Sequence, residues 1–257
     1  MRVTYLWSIF LLGFFLGVGG VHAQTKKFSE AELKFSGKKG ACLTLRAPKH
    51  NSGGTVIENM PKVKALNPSW NYSWGTERVA DQPESIEFVP MVWRGSRVEE
   101  MKKRLATDVV SDIKTGKVKR LLGFNEPDKE EQANMPYTKA LELWPTLEKL
   151  GIPLCSPACA NPEGVDDSVQ GVPGTWMRDF MKEADKRRFR VDYIGVHWYG
   201  GTNAESFKVK LKRIYEKYGK RPLLITEFAP TDWKLVSCMI WSIDLAGIKA
   251  GYLREFA

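Results

Sequence analysis

A barrel of alternating strands and helices, the (β/α)8 class of α/β folds, is the architecture this sequence predicts, on three observations. Seven short apolar runs recur along the chain, and most are continuously apolar, as strands covered on both faces are. Amphipathic stretches separate the later runs, as crossover helices between parallel strands would. No GxGxxG or phosphate-binding loop follows any run, which argues against a nucleotide-binding doubly wound sheet.

The first element precedes the barrel. Arg2 is the only formal charge among residues 1–23, "YLWSIFLLGFFLGV" is an apolar core, and "VHA" carries small residues where a signal peptidase cuts. The chain is therefore expected to lose residues 1–23 after Ala23 and to be secreted, extracellular or associated with a cell wall. An uncleaved anchor is the competing reading, since the run approaches the length of a short membrane span. Residues 24–36 are polar and read as a flexible lead.

The barrel spans residues 37–234. Its runs are "GACLTL" (40–45), "ALNPSWNYSW" (65–74), "EFVPMVW" (87–93), "RLLGFNE" (120–126), "IPLCSPA" (152–158), "VDYIGVHWY" (191–199) and "PLLITEFA" (222–229). Helices are predicted over 96–115, where Ser96 and Glu99 make a capping-box pattern, and over 136–150, between Pro136 and Gly151. Two more are predicted over 174–188 and 204–218; the charged "KEADKRRFR" (182–190) reads as a solvated helix end. Residues 235–257 form an atypical tail, expected as one amphipathic helix with Met239, Ile240, Ile243 and Leu245 on its apolar side. A barrel ending there lacks its last helix and strand and leaves two unpaired edges. A truncated gene model, a spliced variant and a tail that plugs the gap are the three explanations, and an incomplete C-terminus is the preferred one.

Composition excludes some functions. The net charge is +9, but the basic residues are spread widely, with no Arg/Lys stripe interleaved with aromatics, so no nucleic-acid partner is expected. Such a charge suits lingering on an acidic surface. Cys42, Cys155, Cys159 and Cys238 make no CxxC or zinc pattern, and their disulfide pairing is open. "NYS" at Asn71 is a formal glycosylation sequon, expected to be shielded inside a strand. No cofactor and no catalytic metal are expected, since "DYIGVHWY" offers no second metal-type ligand. A monomer without a stable membrane span after signal cleavage is expected.

Chemistry gathers at the ends of the runs. Glu126 and Glu227 both close apolar runs and should share the rim where barrel strands end. A carboxylate beside aromatics is partly desolvated, which raises its pKa. Two such groups flanking a sugar bond can divide the labour, one donating a proton and the other attacking, about 5–5.5 Å apart in retaining enzymes. A lone Glu at a strand end is otherwise a salt-bridge partner or a cap. Asn125 stands directly before one acid and Thr226 directly before the other. Trp74, Trp93 and Trp233 are candidate platforms for the apolar face of a sugar, with core packing as the alternative. His197 sits at a strand end beside Trp198 and Tyr199, and Asn71 is a candidate to reach the cleft from the second strand.

Five segments together, "WNYSW", "EFVPMVW", "LLGFNEPD", "VDYIGVHWY" and "PLLITEFAPTDW", resemble glycoside hydrolase family 128, secreted β-1,3-glucanases related to the fungal alkali-sensitive linkage protein. The resemblance covers roughly residues 37–234 and stops after Trp233. It implies a (β/α)8-type barrel, retaining chemistry and a β-glucan substrate. Glu126 would be the general acid/base at the end of the fourth strand and Glu227 the nucleophile at the end of the seventh. Asn125 would bond the sugar 2-hydroxyl, while His197 and Tyr199 would line the pocket and orient Glu227 or a sugar hydroxyl. Two other readings remain: a truncated, inactive, wall-associated glucan-binding protein, and a retaining glycosidase acting on a different β-glucan. Endo or exo action and chain-length preference are not readable from the sequence.

Overall fold

The computed structural model describes residues 27–42, 56–78, 82–163, 175–200, 203–230 and 239–243, with backbone alone for 56–60, 229–230 and 239–243. Strands β1 (Lys39–Cys42), β2 (Trp70–Tyr72) and β3 (Glu87–Phe88) pair in parallel, as do β4 (Ile194–Gly200) and β5 (Leu223–Pro230). β6 (Met239–Ile243) lies antiparallel between β1 and β5, giving the order β3-β2-β1-β6-β5-β4. The runs at 120–126 and 152–158 pair through single parallel bridges. Met91 meets Leu122, Leu121 meets Leu154, Asn125 meets Ala158, Cys155 meets Tyr193 and Cys159 meets Val196. The result is an α/β architecture of mostly parallel strands. Gly123 lets two of these segments touch, because a Cβ there would stand 2.9 Å from the Cys155 carbonyl oxygen.

Helices fill the connections, as the sequence pattern predicts, with local differences. Helix α1 (Glu30–Leu33) precedes the sheet, and α2 (Val56–Leu66), which the sequence reading omitted, takes the first two residues of the run assigned to 65–74. The helix expected over 96–115 is α3 (Val98–Arg104), one π-helical turn (Leu105–Val109) and α4 (Val110–Lys114). Its Ser96–Glu99 capping box does not form: Arg97 is the N-cap, and Glu99 pairs with Lys102 instead. α5 (Tyr137–Glu148) starts after Pro136, and Gly151 takes the left-handed conformation, φ 71°, just beyond its end. α6 (Trp176–Lys186) and α7 (Ala204–Lys217) follow, α7 capped by the Asn203 side chain on the Ser206 N–H at 3.0 Å.

Two hydrophobic cores share the strands. One combines helix residues such as Leu141, Trp144, Phe180 and Leu211 with Phe88, Leu121, Leu154, Ile194, Leu223 and Ile225. The other is built from strand-side residues, among them Cys42, Trp70, Tyr72, Leu122, Cys155, Tyr193 and Leu224. Neighbours along a strand thus alternate between a helix-facing core and an inner core, which is why the runs read as continuously apolar.

Three expectations are corrected. The tail is not a helix at 239–243: this segment is β6, and the edges of β1 and β5, expected to be open, both pair with it. Unpaired edges are strong acceptors of a strand, and five apolar-rich residues are too few for periodicity to separate helix from strand. The lead at 24–36 is ordered from Ser29, whose side chain and backbone complete a capping box with Glu32. Phe35 then packs 5.3 Å from Trp70 and 6.1 Å from Tyr193, so apolar burial holds the segment under the inner core. Arg120 ties it down further, donating to the carbonyls of Leu33 and Lys34 while pairing with Glu87 at 2.6 Å. Cys42, Cys155 and Cys159 are buried, and among the described residues no two of them form a disulfide. The expected signal peptide, Trp233 and Cys238 lie outside the described residues. Among the described residues no helix is long and apolar enough to cross a membrane.

Candidate active site

Glu126 is presented by a bent backbone. Its φ is 38°, a left-handed conformation that costs a non-glycine residue about 1–2 kcal/mol, and Pro127 restricts it further. Neighbouring bonds hold the bend: the Glu126 N–H donates to the Ala158 carbonyl at 2.8 Å, and its carbonyl accepts from Lys129 N at 3.1 Å. Asp128 braces the loop by accepting from Ala160 N and Asn161 N, at 2.8 and 2.9 Å. The buried carboxylate meets His197 Nδ1 at 3.0 Å through Oε1 and the half-exposed Lys129 ammonium at 3.3 Å through Oε2. Burial, the largest single influence, pushes its pKa up, but the net shift is the reverse of the raised pKa expected from the sequence. The bonds and charges of His197 and Lys129 outweigh burial and hold the carboxyl below its ordinary value.

Glu227 arrives by a different device. β4 and β5 pair Val196 with Ile225 but His197 with Glu227, so Thr226 is an extra residue in the ladder. Leu224 belongs to the inner core and Ile225 to the helix-facing one, so unbroken alternation would send Glu227 toward the helices. Past the bulge it faces the same way as His197 and Tyr199. Two donors then converge on it, with a further hydroxyl nearby. Trp74 Nε1 donates to Oε1 at 2.7 Å, Tyr199 OH to Oε2 at 2.5 Å, and Tyr72 OH stands 3.4 Å from Oε1. Burial, with Cys42 and Glu227 nearby, pushes the Tyr72 phenol well above its usual range, so it remains a donor.

His197 joins the two acids. Its buried Nδ1 lies 3.0 Å from Glu126 Oε1 and 3.4 Å from Glu227 Oε2. One ligand atom from each of Glu126, His197 and Glu227 lies within 4.8 Å of the others. By residue type and spacing the trio could hold a metal ion, which would take the place of the His197 bonds. Among the described residues His197 Nε2 is buried without a hydrogen-bond partner, as is Asn125 Oδ1. The Asn125 amide nitrogen donates to Gln132 Oε1 at 3.2 Å.

The structure brings Glu126, Trp74, His197, Tyr199 and Glu227 together, while Asn125 adjoins Glu126 in the chain and bonds through its backbone to Trp93. Trp93 packs against the inner core, its carbonyl accepts Asn125 N at 3.0 Å, and Arg94 stands 4.3 Å over its ring. Trp74 was expected as a sugar platform, but its indole N–H is spent on Glu227. Asn71 does not join the group. It pairs laterally with Phe88 of the helix-facing core, on the opposite face of β2 from Tyr72, and is fully buried. Tyr72 and Lys129 are the residues the sequence reading missed. Trp70, Tyr72 and Trp74 stand two apart in "WNYSW", and that spacing was the available signal for Tyr72.

Comparison with known proteins shows the family. The family model described as glycosyl hydrolase catalytic core matches residues 53–241. A glycoside hydrolase family 128 subgroup I endo-β-1,3-glucanase from Amycolatopsis mediterranei, solved with laminaritriose, is 30% identical. It covers 79% of this chain and 76% of its own, with a TM-score of 0.58. A subgroup II endo-β-1,3-glucanase from Sorangium cellulosum is 26% identical over 72% of each chain, with a TM-score of 0.52. A subgroup III curdlan-specific exo-β-1,3-glucanase from Blastomyces gilchristii shares the fold at 24% identity and a TM-score of 0.55, over 75% of this chain and 76% of its own. Comparison with curated proteins returned no match. With its two glutamates meeting at one histidine and its match to both the family model and these structures, the chain belongs to the glycosyl hydrolase catalytic core family and is a glycosidase of glycoside hydrolase family 128.

Proposed function

We propose that this chain hydrolyses β-1,3-glucan with retention of configuration, Glu227 acting as nucleophile and Glu126 as general acid/base. The observation that carries the reading is the approach of one oxygen from each carboxylate to within 4.8 Å across His197. Retaining pairs stand about 5–5.5 Å apart and inverting pairs about 6.5–9.5 Å, the larger gap admitting a water. Glu227, oriented by Trp74 and Tyr199, attacks the anomeric carbon. Glu126 gives a proton to the departing glycosidic oxygen, then takes one from the water that releases the glycosyl-enzyme. A sugar filling the groove excludes water, which adds to the desolvation already acting on Glu126 and favours its protonated form. The free acceptor on Asn125 is suited to a sugar hydroxyl, and the half-buried Trp93 to a sugar face.

The substrate class rests on the laminaripentaose and laminaritriose bound in the family 128 endo-β-1,3-glucanase structures. The reading also takes the strands as a closed eight-membered barrel in which β6 stands inverted in the eighth place, supporting the Glu227 strand. Secretion after cleavage at Ala23 completes it. A glucan-binding protein without catalysis is the weaker reading, because both acids and their donors are in place.

The test is reducing-end release from laminarin by the wild type, Glu126→Gln and Glu227→Gln. A loss of about a thousandfold or more in both variants is expected. Equal rates would remove these residues from the chemistry. A panel with β-1,4- and mixed-linkage glucans separates the proposed substrate from other β-glucans.

A further inference from the structure

The bulge that turns Glu227 toward Glu126 and His197 is met by a second residue. Thr226 has no partner across the β4–β5 ladder, and its carbonyl accepts the phenolic proton of Tyr72 at 2.8 Å in the buried interior. The same hydroxyl stands 3.4 Å from Glu227 Oε1. Tyr72 comes from β2, and its ring is confined on both sides. It stacks on Trp70 with centroids 6.4 Å apart and meets Trp74 edge-on at 5.6 Å. Fully buried, it is placed to act through Glu227 and its backbone, not on a substrate.

We propose that Tyr72 is a positioning residue for the reaction: its hydroxyl holds the Thr226 bulge in the register that aims Glu227 toward Glu126 and His197. Bulges beside active sites re-aim a side chain, and this one reverses the face on which residue 227 falls. The inference rests on Glu227 as the nucleophile. Without the hydroxyl the bulge carbonyl is left unpaired and the ladder can relax around Thr226. The carboxylate then moves relative to Glu126 while the rest of the site keeps its shape.

Two buried phenols make the test internally controlled. Tyr193 lies farther down the inner core, where its OH donates to the Leu33 carbonyl at 2.7 Å and accepts from Arg120. In laminarin hydrolysis, Tyr72→Phe is expected to lower kcat ~10- to 100-fold, the range a displacement of about 1 Å can cost. KM should stay within about twofold, since ground-state binding is untouched. Glycosyl-enzyme formation should slow by the same factor. Tyr193→Phe, folded by circular dichroism, should lose stability but keep its kcat. Wild-type kcat in Tyr72→Phe, or an equal fall in Tyr193→Phe, overturns the inference while leaving Glu227 as nucleophile. A wild type that releases no sugar overturns the functional reading and this inference with it.

Discussion

Glu126 and Glu227 share one ring nitrogen: His197 Nδ1 lies 3.0 Å from the first carboxylate and 3.4 Å from the second. Two acids this close repel when both are ionised, and a buried donor between them relieves the repulsion. His197→Ala removes a hydrogen bond to charged groups worth about 1.5–3 kcal/mol, so kcat should fall roughly 10- to 100-fold. Unchanged kinetics on laminarin would show that the imidazole does not organise the pair.

Lys129 sets the ionisation of Glu126 from the solvent side, 3.3 Å from Oε2. Lys129→Met removes a charge that lowers the Glu126 pKa, so that pKa rises. Glu126 must be protonated to donate, so the basic limb of the kcat/KM profile should move to higher pH. Stability gives an independent check. A carboxyl lowered on folding contributes stability above its unfolded pKa and loses it as pH falls through the folded value. The variant should therefore show a shallower loss of stability on acidification, measured by urea unfolding at several pH values.

The positions of these acids were legible because each closes an apolar run. Glu126 is stopped by Pro127, and Glu227 ends "PLLITE". The device that aims Glu227 was not legible, since a bulge at Thr226 depends on pairing with β4 and leaves no mark on a two-residue period. Asn71 failed for the complementary reason. In a run apolar throughout, nothing local says which residues face inward, and the lateral pairing with Phe88 decides it. Tyr72 was hidden inside a segment that already satisfied the strand pattern. β6 escaped notice because its place depends on two edges distant in the chain.

Arg120 and Glu87 form a buried pair at 2.6 Å at the other end of the inner core. Arg120→Ala leaves Glu87 uncompensated and the Leu33 and Lys34 carbonyls unpaired. It should destabilise the fold by about 3–5 kcal/mol. Chemical denaturation measures this, and the folded fraction should retain wild-type kcat because no site residue is touched. A loss below about 1 kcal/mol would indicate that Arg120 behaves as an exposed cation.

β6 pairs on both sides, Ile240 with Gly40 of β1 and Ser242 with Leu224 of β5. Ile240→Pro places a residue with no N–H inside a central strand, where it cannot donate to the ladder and proline is essentially not found. Thermal unfolding should shift strongly downward. An unchanged transition would mean that residues 239–243 do not complete the sheet.

The central claim is that Glu227 bonds to the sugar during turnover. Incubation with an activated 2-deoxy-2-fluoro-β-laminaribioside slows breakdown of the glycosyl-enzyme, and peptide mass spectrometry then locates the adduct. A single glycosyl mass on the peptide carrying Glu227, absent from Glu227→Gln, is the predicted result. An adduct on another residue, or turnover of laminarin that first releases the α-anomer with no adduct, would contradict it.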